Sequence, residues 1–457
     1  MTHSPASLAF VHALQQQGAG VYMVGGTVRD ELLGHPHNDL DLLVTGLPQQ
    51  ALLRTLRPHG RVQLTGRAFG VIKFLPHGWD GPPIDIALPR MEVSTGVGHR
   101  DFAVTFDHAL PVETDLGRRD FTINAMAIDL AHGQLLDPFA GSRDLQQRQL
   151  RQVSPQAFPE DPLRMLRGIQ LAARLALTIE PLTYEAMQLH AAMITTVAAE
   201  RIAEELRKLF QAQAPSQGFR AMQDVGLLSH LFPELAQPAM PEDAFAQMLR
   251  RLDTVQQCAL LRQPAPLDLL LTALFWNTVV PGATADPQAL AADTASMVQQ
   301  RLTGLKMTTI GAHPDLISTL LTHRAFNLST LASPAALRHF AYEVGVTEVF
   351  LLCDVHLADR VSAVPAQAVQ DLLDLRRRLQ AEIDNKAPLG LQALALDGHD
   401  LQHLGMTPGP QMGQLLQQLL RQVLDDPQRN TRAHLLALTQ TLLGQTTETP
   451  CGSGQKH

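Results

Sequence analysis

The sequence contains few aromatic residues and few cysteines. Phe, Trp and Tyr make up 5% of its 457 residues, so Leu and Ala must supply most of the core packing. The cysteines Cys258, Cys353 and Cys451 are far apart in the chain and form neither a CxxC pair nor a Cys/His spacing typical of zinc. These absences exclude a disulfide-stapled scaffold and a zinc ribbon, and they favour a reducing compartment.

Signals for secretion and for membranes are also lacking. No stretch reaches the roughly 18 apolar residues that a membrane-spanning helix needs. The first 17 residues have neither the basic segment nor the apolar core of a signal peptide. We therefore expect a cytoplasmic protein with no membrane partner. The net charge of −8 excludes a uniformly basic nucleic-acid coat, but it leaves room for a local basic channel.

Length and hydrophobic patterning predict several domains. A chain of 457 residues with 45% hydrophobic content is folded and too long for one core, and about three domains are expected at roughly 150 residues each. Residues 1–145 alternate short β-rich runs with Gly, Pro and Asp turns, which predicts a mixed α/β head. From about residue 159 the apolar residues recur at helical spacing, so an all-helical remainder follows.

A pair of glycines lies between a predicted strand and a predicted helix. Gly25 and Gly26 would let a polyphosphate approach the backbone, the helix start near Thr27 would supply N–H groups, and Arg29 would add a forked cation. Taken alone, the pair is explained more simply as a tight turn. The chain contains no Gly-Lys pair, which excludes a Walker loop.

Two acids follow about fifteen residues later. Asp39 and Asp41 are two positions apart at the start of an apolar run, so on a strand they share one face. Carboxylates so placed repel each other unless a cation lies between them, and two Mg²⁺ ions in nucleotidyl transfer need such ligands. An exposed strand start is the commoner explanation of Asp-x-Asp alone, but the preceding Gly-Gly turn and Arg29 favour the metal site. Asp85, on another predicted strand, is either a third metal-site acid or an edge acid.

Two later clusters pair arginine with aspartate. Arg119 and Asp120 precede an apolar run, where an arginine can fork onto phosphate and an aspartate can accept a hydrogen bond from a ribose hydroxyl. Asp161 and Arg164 are three residues apart, so they offer acceptors and planar donors that match the edge of a base. Arg167, one turn later, could reach a phosphate. Ordinary charged residues at helix starts explain each cluster separately.

Taken in order, these segments resemble the class II tRNA nucleotidyltransferases, the CCA-adding enzymes of the poly(A) polymerase family. The matching segments are GG-x-VRD followed by D-x-D (25–41), RRDFTINA (118–125), DPFAG-x-x-DL (137–145), EDPLR-x-LR (160–167), ERIAEELRK (200–208) and DGHDLQHLGMTPGPQMGQLL (397–416). The similarity covers most of the chain and is weakest over residues 240–385. No single motif is specific, but their order is.

The resemblance implies a function and a set of roles. Members of the family add C, C and A to the 3′ end of tRNA from CTP and ATP, with no nucleic-acid template. The implied roles are Mg²⁺ binding by Asp39 and Asp41, triphosphate binding by Gly25, Gly26 and Arg29, ribose and phosphate contacts by Arg119 and Asp120, base reading by Asp161 and Arg164, and a phosphate contact by Arg167. The expected partners are therefore tRNA, ATP and CTP, and the expected cofactor is Mg²⁺.

The resemblance also implies a domain order. We expect a catalytic head over residues 1–145, a helical neck with the nucleotide-selecting motif over 146–215, a helical body over 216–385, a helical tRNA-binding tail over 386–445 and a disordered tail over 446–457. Arg201, Arg207 and Lys208 are candidates for an RNA-facing surface, although a solvated helix face is at least as plausible for them.

The chain departs from the family in two places. Many members carry an arginine three residues beyond the position of Arg167, where this chain has Gln170, so one cation is missing from the phosphate contacts. Some members have a His-Asp phosphohydrolase domain after the neck, but the corresponding segment, residues 269–280, has no His-Asp pair. His399-Asp400 lies in the tail motif and is interpreted as structural, so no phosphohydrolase is predicted.

Several alternatives remain at this stage. A poly(A) polymerase and a CC-adding or A-adding specialist share the head, and the long loop expected over residues 89–116 mildly favours complete CCA addition. An inactive RNA-binding protein on the same scaffold would be expected to have lost a metal carboxylate, but Asp39 and Asp41 are both present. A small-molecule nucleotidyltransferase would not need the long helical remainder. The sequence gives no indication of the oligomeric state.

Overall fold

A computed structural model of the chain describes residues 8–36, 39–65, 71–94, 102–236, 242–258, 264–278, 286–361 and 366–445. The chain divides into two compact units, a first unit of residues 1–241 with 304–310 and a second unit of residues 242–303 with 311–457. The predicted domain boundaries at 145, 215 and 385 are finer than this division and stay predictions. The predicted disordered tail, 446–457, lies outside the described residues.

The strands of the described residues all lie in the first unit. They are β1 (Gly20–Val24), β2 (Asp41–Thr45), β3 (Gly60–Thr65), β4 (Val71–Pro76), β5 (Ile84–Ala87), β6 (Arg90–Ser94), β7 (Phe102–Phe106), β8 (Ala127–Asp129), β9 (Leu135–Leu136), β10 (Gln149–Leu150) and β11 (Thr178–Ile179).

Helices of the same unit flank and follow the strands. Those described are α1 (Ala9–Gln16), α2 (Gly26–Leu32), α3 (Gln49–Leu56), α4 (Val112–Gly117), α5 (Gly141–Gln146), α6 (Ala157–Glu160), α7 (Leu163–Leu175), α8 (Pro181–His190), α9 (Ala199–Phe210), α10 (Pro215–Asp224) and α11 (Leu227–Leu231).

A mixed sheet organises the head. In the described residues its strand order is β3-β4-β5-β2-β1-β8-β9, and only the β2–β5 pair is parallel. Because β1 and β2 are antiparallel, with Met23 opposite Leu42, the end of β1 lies beside the start of β2. The parallel register places Asp41 opposite Asp85. The Gly-Gly turn and the acids of the sequence motifs therefore meet at one edge of the fold.

The apolar runs form the sheet core as predicted. Leu42, Leu43 and Val44 of β2 are buried, and Phe10 of α1 packs edge-on against Phe74 of β4 with ring centroids 4.9 Å apart. The α/β head followed by a mostly helical remainder is confirmed. One detail differs: the segment over residues 89–116, expected as a long loop, contains the hairpin β6–β7, and its residues His99 and Arg100 lie outside the described part.

Two helices after the sheet run in the same direction. Asp161, just before α7, pairs with Arg201 in the first turn of α9 at 2.7 Å. One to two turns further on, Arg167 of α7 lies 3.5 Å from Glu205 of α9. The apolar stripe of α7, which includes Leu166 and Ile169, is buried. The two ion pairs thus place the charged side of α7 beside the charged side of α9.

The second unit is helical throughout its described residues. Its helices are α12 (Glu242–Gln257), α13 (Leu267–Phe275), α14 (Pro287–Gly304), α15 (Pro314–Thr322), α16 (Pro334–Val344), α17 (Glu348–Val361), α18 (Ala366–Asp384), α19 (Gly398–His403), α20 (Pro410–Asp425) and α21 (Arg432–Gln445). No helix in the described ranges is both long and apolar enough to cross a membrane.

The His399-Asp400 pair begins a helix, as the structural interpretation requires. Asp397 caps α19 by accepting hydrogen bonds from the backbone N–H groups of His399 and Asp400. The Asp400 carboxylate returns the bond by accepting from the Asp397 N–H, and it also pairs with Arg432. These contacts complete a capping box, which satisfies N–H groups that a helix start leaves unpaired.

Candidate active site

A basic cleft in the first unit collects the residues that the motifs singled out. Its volume is about 940 Å³. The basic side chains that line it are Arg29, Arg90, Arg118, Arg119, Arg164, Arg167, Arg174, Arg201 and Lys208, and the acidic ones are Asp41, Asp120, Glu160 and Asp161. A chain of net charge −8 thus contains a local concentration of positive charge, which attracts anions because binding follows the local field. Of the predicted site residues, only Asp39 is outside this lining.

Gly25 is required by the geometry of the turn. Its φ of +76° lies in the left-handed region, which glycine tolerates and other residues rarely adopt. A Cβ atom here would lie 2.8 Å from Nη1 of Arg119 and 3.9 Å from Oδ2 of Asp41. The absent side chain therefore leaves room for a cation and a carboxylate to approach the start of α2.

The two predicted metal ligands occupy different positions. Asp41 is the first residue of β2 and is partly buried, whereas Asp39 precedes the strand and is exposed. Thr27 donates its hydroxyl to the Asp39 carbonyl at 3.1 Å, which ties this segment to α2. Burial, together with the neighbouring carboxylates of Asp85 and Asp39, raises the pKa of Asp41 above its usual value, although Arg119 and Lys73 oppose the shift.

These acids suit a shared cation. The described residues contain no group of three or more His, Cys, Asp or Glu side chains that could hold a metal by themselves. Mg²⁺ is commonly held by one or two carboxylates together with substrate phosphates, so Asp39 and Asp41 fit that pattern. Asp85 already pairs with Lys73 at 2.9 Å, which offsets its charge.

Arg29 is buried and firmly held. Its Nε and Nη2 atoms donate to the two carboxylate oxygens of Asp30 at 2.8 and 2.9 Å, and its Nη1 donates to the side-chain oxygen of Asn124 at 2.8 Å. The guanidinium therefore stands fixed beside Gly26, whose Cβ position is 3.4 Å from Arg29 Nη2.

Asn124 links two predicted site residues and was missed by the sequence reasoning. While its oxygen accepts from Arg29, its amide nitrogen donates to Asp120 Oδ1 at 3.0 Å. Asp120 also accepts from the Phe121 N–H and, through Oδ2, from Arg167 at 3.4 Å. Asn124 lies within the RRDFTINA motif, but the sequence alone does not indicate that this asparagine contacts a residue 95 positions away.

The remaining arginines of this cluster are anchored by a buried acid. Arg118 and Arg119 pair with the carboxylate of Asp115 at 2.6 and 3.2 Å, and the Asp115 side chain is fully buried. The Nε atom of Arg119 is buried with no hydrogen-bond partner in the described structure. Asp115 therefore orients Arg119 through its Nη2 atom, while its Nη1 atom lies beside the Gly25 turn.

Asp161 and Arg164 lie together at the start of α7. Arg164 is buried and donates to the Ala157 carbonyl, the Glu160 carboxylate and the Arg118 carbonyl at 3.2, 3.2 and 2.8 Å. Asp161 accepts from Arg201 at 2.7 Å. Both side chains are fixed by neighbours and keep further hydrogen-bonding capacity, since a carboxylate has about four acceptor positions and a guanidinium five donors.

Arg167 joins this region to α9. Burial alone would lower its pKa, but the carboxylates of Asp120 and Glu205 outweigh burial and raise it. Glu205 also accepts from Lys208 at 2.9 Å, so one carboxylate faces two cations. Arg167 thus stays charged in the cleft.

Three family models match consecutive parts of the chain. Residues 21–151 match the "Poly A polymerase head domain", residues 176–237 match the "Probable RNA and SrmB- binding site of polymerase A", and residues 330–439 match tRNA nucleotidyltransferase domain 2. The CCA-adding enzyme of Levilactobacillus brevis is 31% identical over 429 residues, which cover 93% of this chain and 95% of that protein. The chain belongs to the CCA-adding enzyme family.

Other members of the family are similar to this chain over a shorter span or at a lower sequence identity. The multifunctional CCA protein of Xanthomonas campestris pv. campestris is 43% identical over 220 residues, and the match spans about half (51%) of its length. The fold resembles the crystal structure of the Bacillus stearothermophilus CCA-adding enzyme in complex with CTP, with a TM-score of 0.66 and 22% identity over 98% of this chain and 100% of that one.

Proposed function

We propose that this chain adds C, C and A to the 3′ end of tRNA from CTP and ATP, without a nucleic-acid template. One observation carries the proposal: a single basic cleft contains Asp41, the Gly25 turn with Arg119 above it, and the Asp161–Arg164 pair. Nucleotidyl transfer needs ligands for a cation, a place for the triphosphate and contacts to the base, and these groups supply all three.

Asp39 and Asp41 are proposed to hold a divalent cation, which we take to be Mg²⁺. Such an ion, when bound, neutralises charge on the triphosphate and favours the deprotonated form of the attacking hydroxyl. The crowding of Asp41 by Asp85 and Asp39 supports the assignment, because a cation would relieve the repulsion among them. Lys73 offsets the charge of Asp85, so we leave Asp85 out of the ligand set.

Arg119 and the turn at Gly25 are proposed to receive the phosphates. Gly25 leaves the backbone open, and Nη1 of Arg119 lies beside it in the lining of the same cleft. Arg29, Asp120 and Arg167 are joined through Asn124 into one polar chain. Because Asp120 already accepts from three partners, we propose that it meets the nucleotide mainly by orienting Arg167.

Asp161 and Arg164 are proposed to select the base. Cytosine and adenine each present an exocyclic amino donor, whereas uracil and guanine present a carbonyl oxygen at the corresponding place. An acceptor on Asp161 beside a donor on Arg164 therefore matches C and A and leaves U and G with unpaired groups, which costs binding energy. The fixed positions of both side chains support this role.

The partner is proposed to be tRNA, and the location the cytoplasm. The match of residues 330–439 to a tRNA nucleotidyltransferase domain supports a tRNA partner. A poly(A) polymerase remains the second candidate, because the head model that matches residues 21–151 is that of poly(A) polymerases.

The experiment compares purified wild-type protein with Asp41→Asn and with Asp80→Asn, an exposed carboxylate outside the cleft. Each receives Mg²⁺, a tRNA transcript ending before CCA, and labelled CTP, then ATP. We expect incorporation by wild type and Asp80→Asn, and a loss of roughly 10³-fold in Asp41→Asn, which still binds the transcript. Binding of tRNA by the wild type without any incorporation would overturn the catalytic proposal.

A further inference from the structure

One arginine of the cleft differs from its neighbours in how its charge is balanced. Seven of the lining cations lie within 3.4 Å of a carboxylate oxygen, in the pairs Arg29–Asp30, Arg118–Asp115, Arg119–Asp115, Arg164–Glu160, Arg167–Asp120, Arg201–Asp161 and Lys208–Glu205. Arg90 has a partner as well. Across the described ranges, the hydrogen bond of the Arg174 guanidinium is to a neutral group, the side-chain oxygen of Gln170, at 3.4 Å.

Gln170 orients this arginine without neutralising it. It lies one helical turn before Arg174 on α7 and is 3% exposed, so its amide is held in the wall of the cleft. A carboxylate at this place would cancel the charge of Arg174, whereas an amide oxygen accepts the hydrogen bond and leaves the charge intact.

A lysine of α9 adds to the positive charge of the cleft. Lys208 of α9 lines the same cleft and shares the carboxylate of Glu205 with Arg167. Since α7 and α9 run in the same direction, Lys208 and Arg174 both lie toward the C-terminal ends of their helices. This part of the cleft therefore holds more positive than negative charge, and arginine and lysine are both side chains that bind phosphate.

We propose that Arg174, oriented by Gln170 in a cleft that Lys208 also lines, forms a phosphate-binding subsite beyond the base-selecting pair, an inference that rests on the proposed function. Arg174 follows Arg164 by ten residues, about 15 Å along the helix axis. That separation favours a phosphodiester of the tRNA 3′ strand over the triphosphate of the nucleotide that Asp161 and Arg164 contact.

The test measures RNA binding and nucleotide use separately. A fluorescent tRNA transcript ending before CCA is titrated with protein at several KCl concentrations without nucleotide, and KM for CTP is measured at saturating transcript. The variants are Arg174→Gln, Gln170→Glu and Arg174→Lys. The control is Arg54→Gln, an exposed arginine on α3 outside the cleft. Far-UV circular dichroism and melting temperature confirm that each variant is folded.

Loss of one phosphate contact has a defined signature. In Arg174→Gln we expect Kd for the transcript to rise about fivefold and the slope of log Kd against log salt to fall by about 0.7–0.9, with KM for CTP unchanged. Gln170→Glu is expected to behave in the same way, because its carboxylate would neutralise Arg174. Arg174→Lys keeps the charge and is expected to keep the slope.

Other outcomes decide the phosphate source or the proposal itself. A rise in KM for CTP with an unchanged salt slope would support the subsite and assign it to the nucleotide triphosphate. Folded Arg174→Gln and Gln170→Glu proteins that match Arg54→Gln in both measurements would overturn the subsite. A wild-type protein that neither binds the transcript nor incorporates CTP would instead overturn the proposed function on which the subsite depends.

Discussion

At the scale of single residues, the cleft depends on side chains that hold other side chains. Arg164 donates hydrogen bonds to Ala157, Glu160 and Arg118, so its own position is set before any ligand binds. Asn124 likewise fixes the position of Arg29 by accepting a hydrogen bond from its guanidinium. Positions fixed in advance lower the entropy lost on binding, which is the benefit of a preorganised site.

Gly25 gives the first prediction at this scale. Gly25→Ala forces a side chain into a backbone with φ of +76° and places a Cβ atom 2.8 Å from Arg119 Nη1. We expect about 1–3 kcal/mol lower stability and a higher KM for CTP and ATP, measured by thermal melting and steady-state kinetics. Gly26→Ala is the matched control, because its nearest contact would be an ordinary 3.4 Å, and we expect a stability change below about 1 kcal/mol. Equal behaviour of the two variants would contradict this account of the turn.

Asn124 gives the second prediction at the scale of single residues. Asn124→Leu keeps the size but removes the hydrogen bonds to Arg29 and Asp120. We expect KM to rise about tenfold for CTP and ATP alike. The two lost bonds hold the charged side chains of Arg29 and Asp120, which are not part of the base-reading pair. Asn124→Asp retains the acceptor for Arg29 but replaces the donor to Asp120 with a second carboxylate, so it should lose at least as much. A change in the preference between CTP and ATP would show that Asn124 acts on base selection instead.

At the scale of elements, the apolar runs predicted the sheet better than they predicted its edges. The short β-rich runs expected within residues 1–145 include β1, β4 and β5, each of which carries a contiguous or alternating apolar pattern. Strand β3 and the hairpin β6–β7 were not predicted, since strand pairing depends on the partner.

The site shows the same division between local and tertiary information. Motif order brought nine of the ten predicted site residues into the lining of one cleft, with Asp39 beside it before β2. The contacts that orient them were not predictable, because pairs such as Arg201–Asp161 and Arg164–Arg118 join residues 40 and 46 positions apart. Such pairs arise from packing, which periodicity alone does not specify. The roles of the ten residues stay predictions until the variants are measured.

Helix α20 offers a prediction about stability. The buried Arg338 of α16 donates to the carbonyls of Leu424 and Asp425 at the end of α20 and to Glu382 of α18 at 2.8 Å. Arg338→Ala leaves the carbonyls and Glu382 without this donor, and we expect a loss of about 3 kcal/mol in unfolding free energy. The control Arg377→Ala removes an arginine that is 76% exposed and should change stability by less than about 0.5 kcal/mol. Denaturant titration measures both, and similar losses would refute the capping role.

At the scale of the whole molecule, charge is unevenly distributed. The chain carries a net charge of −8, yet nine basic and four acidic side chains line the cleft.

A buried histidine outside the cleft affects how the stability of the second unit depends on pH. His356 of α17 is 8% exposed and lies between the rings of Trp276 and Phe326, with centroid distances of 4.8 and 4.5 Å.

Because of His356, we expect the unfolding free energy of the second unit to fall in acid. Burial, reinforced by Arg360 and Arg251 and opposed by Asp359, lowers the pKa of His356 to about 4. The unfolded chain, with a histidine pKa near 6.5, then binds more protons between about pH 6.5 and 4, so stability falls as pH falls through that window, by about 3 kcal/mol. His356→Phe cannot titrate, and we expect a flatter unfolding free energy over the same range. An unchanged pH slope in a folded His356→Phe protein would contradict the prediction.

The account rests centrally on template-free choice of C, C and A. The most direct measurement supplies wild-type protein and Mg²⁺ with equal concentrations of CTP, ATP, GTP and UTP, and with three tRNA transcripts that end before CCA, after C and after CC. Sequencing of the product ends should show each transcript completed to CCA and no further. Long A tails, addition of C alone, or addition of A only to the CC-ended transcript would contradict the account.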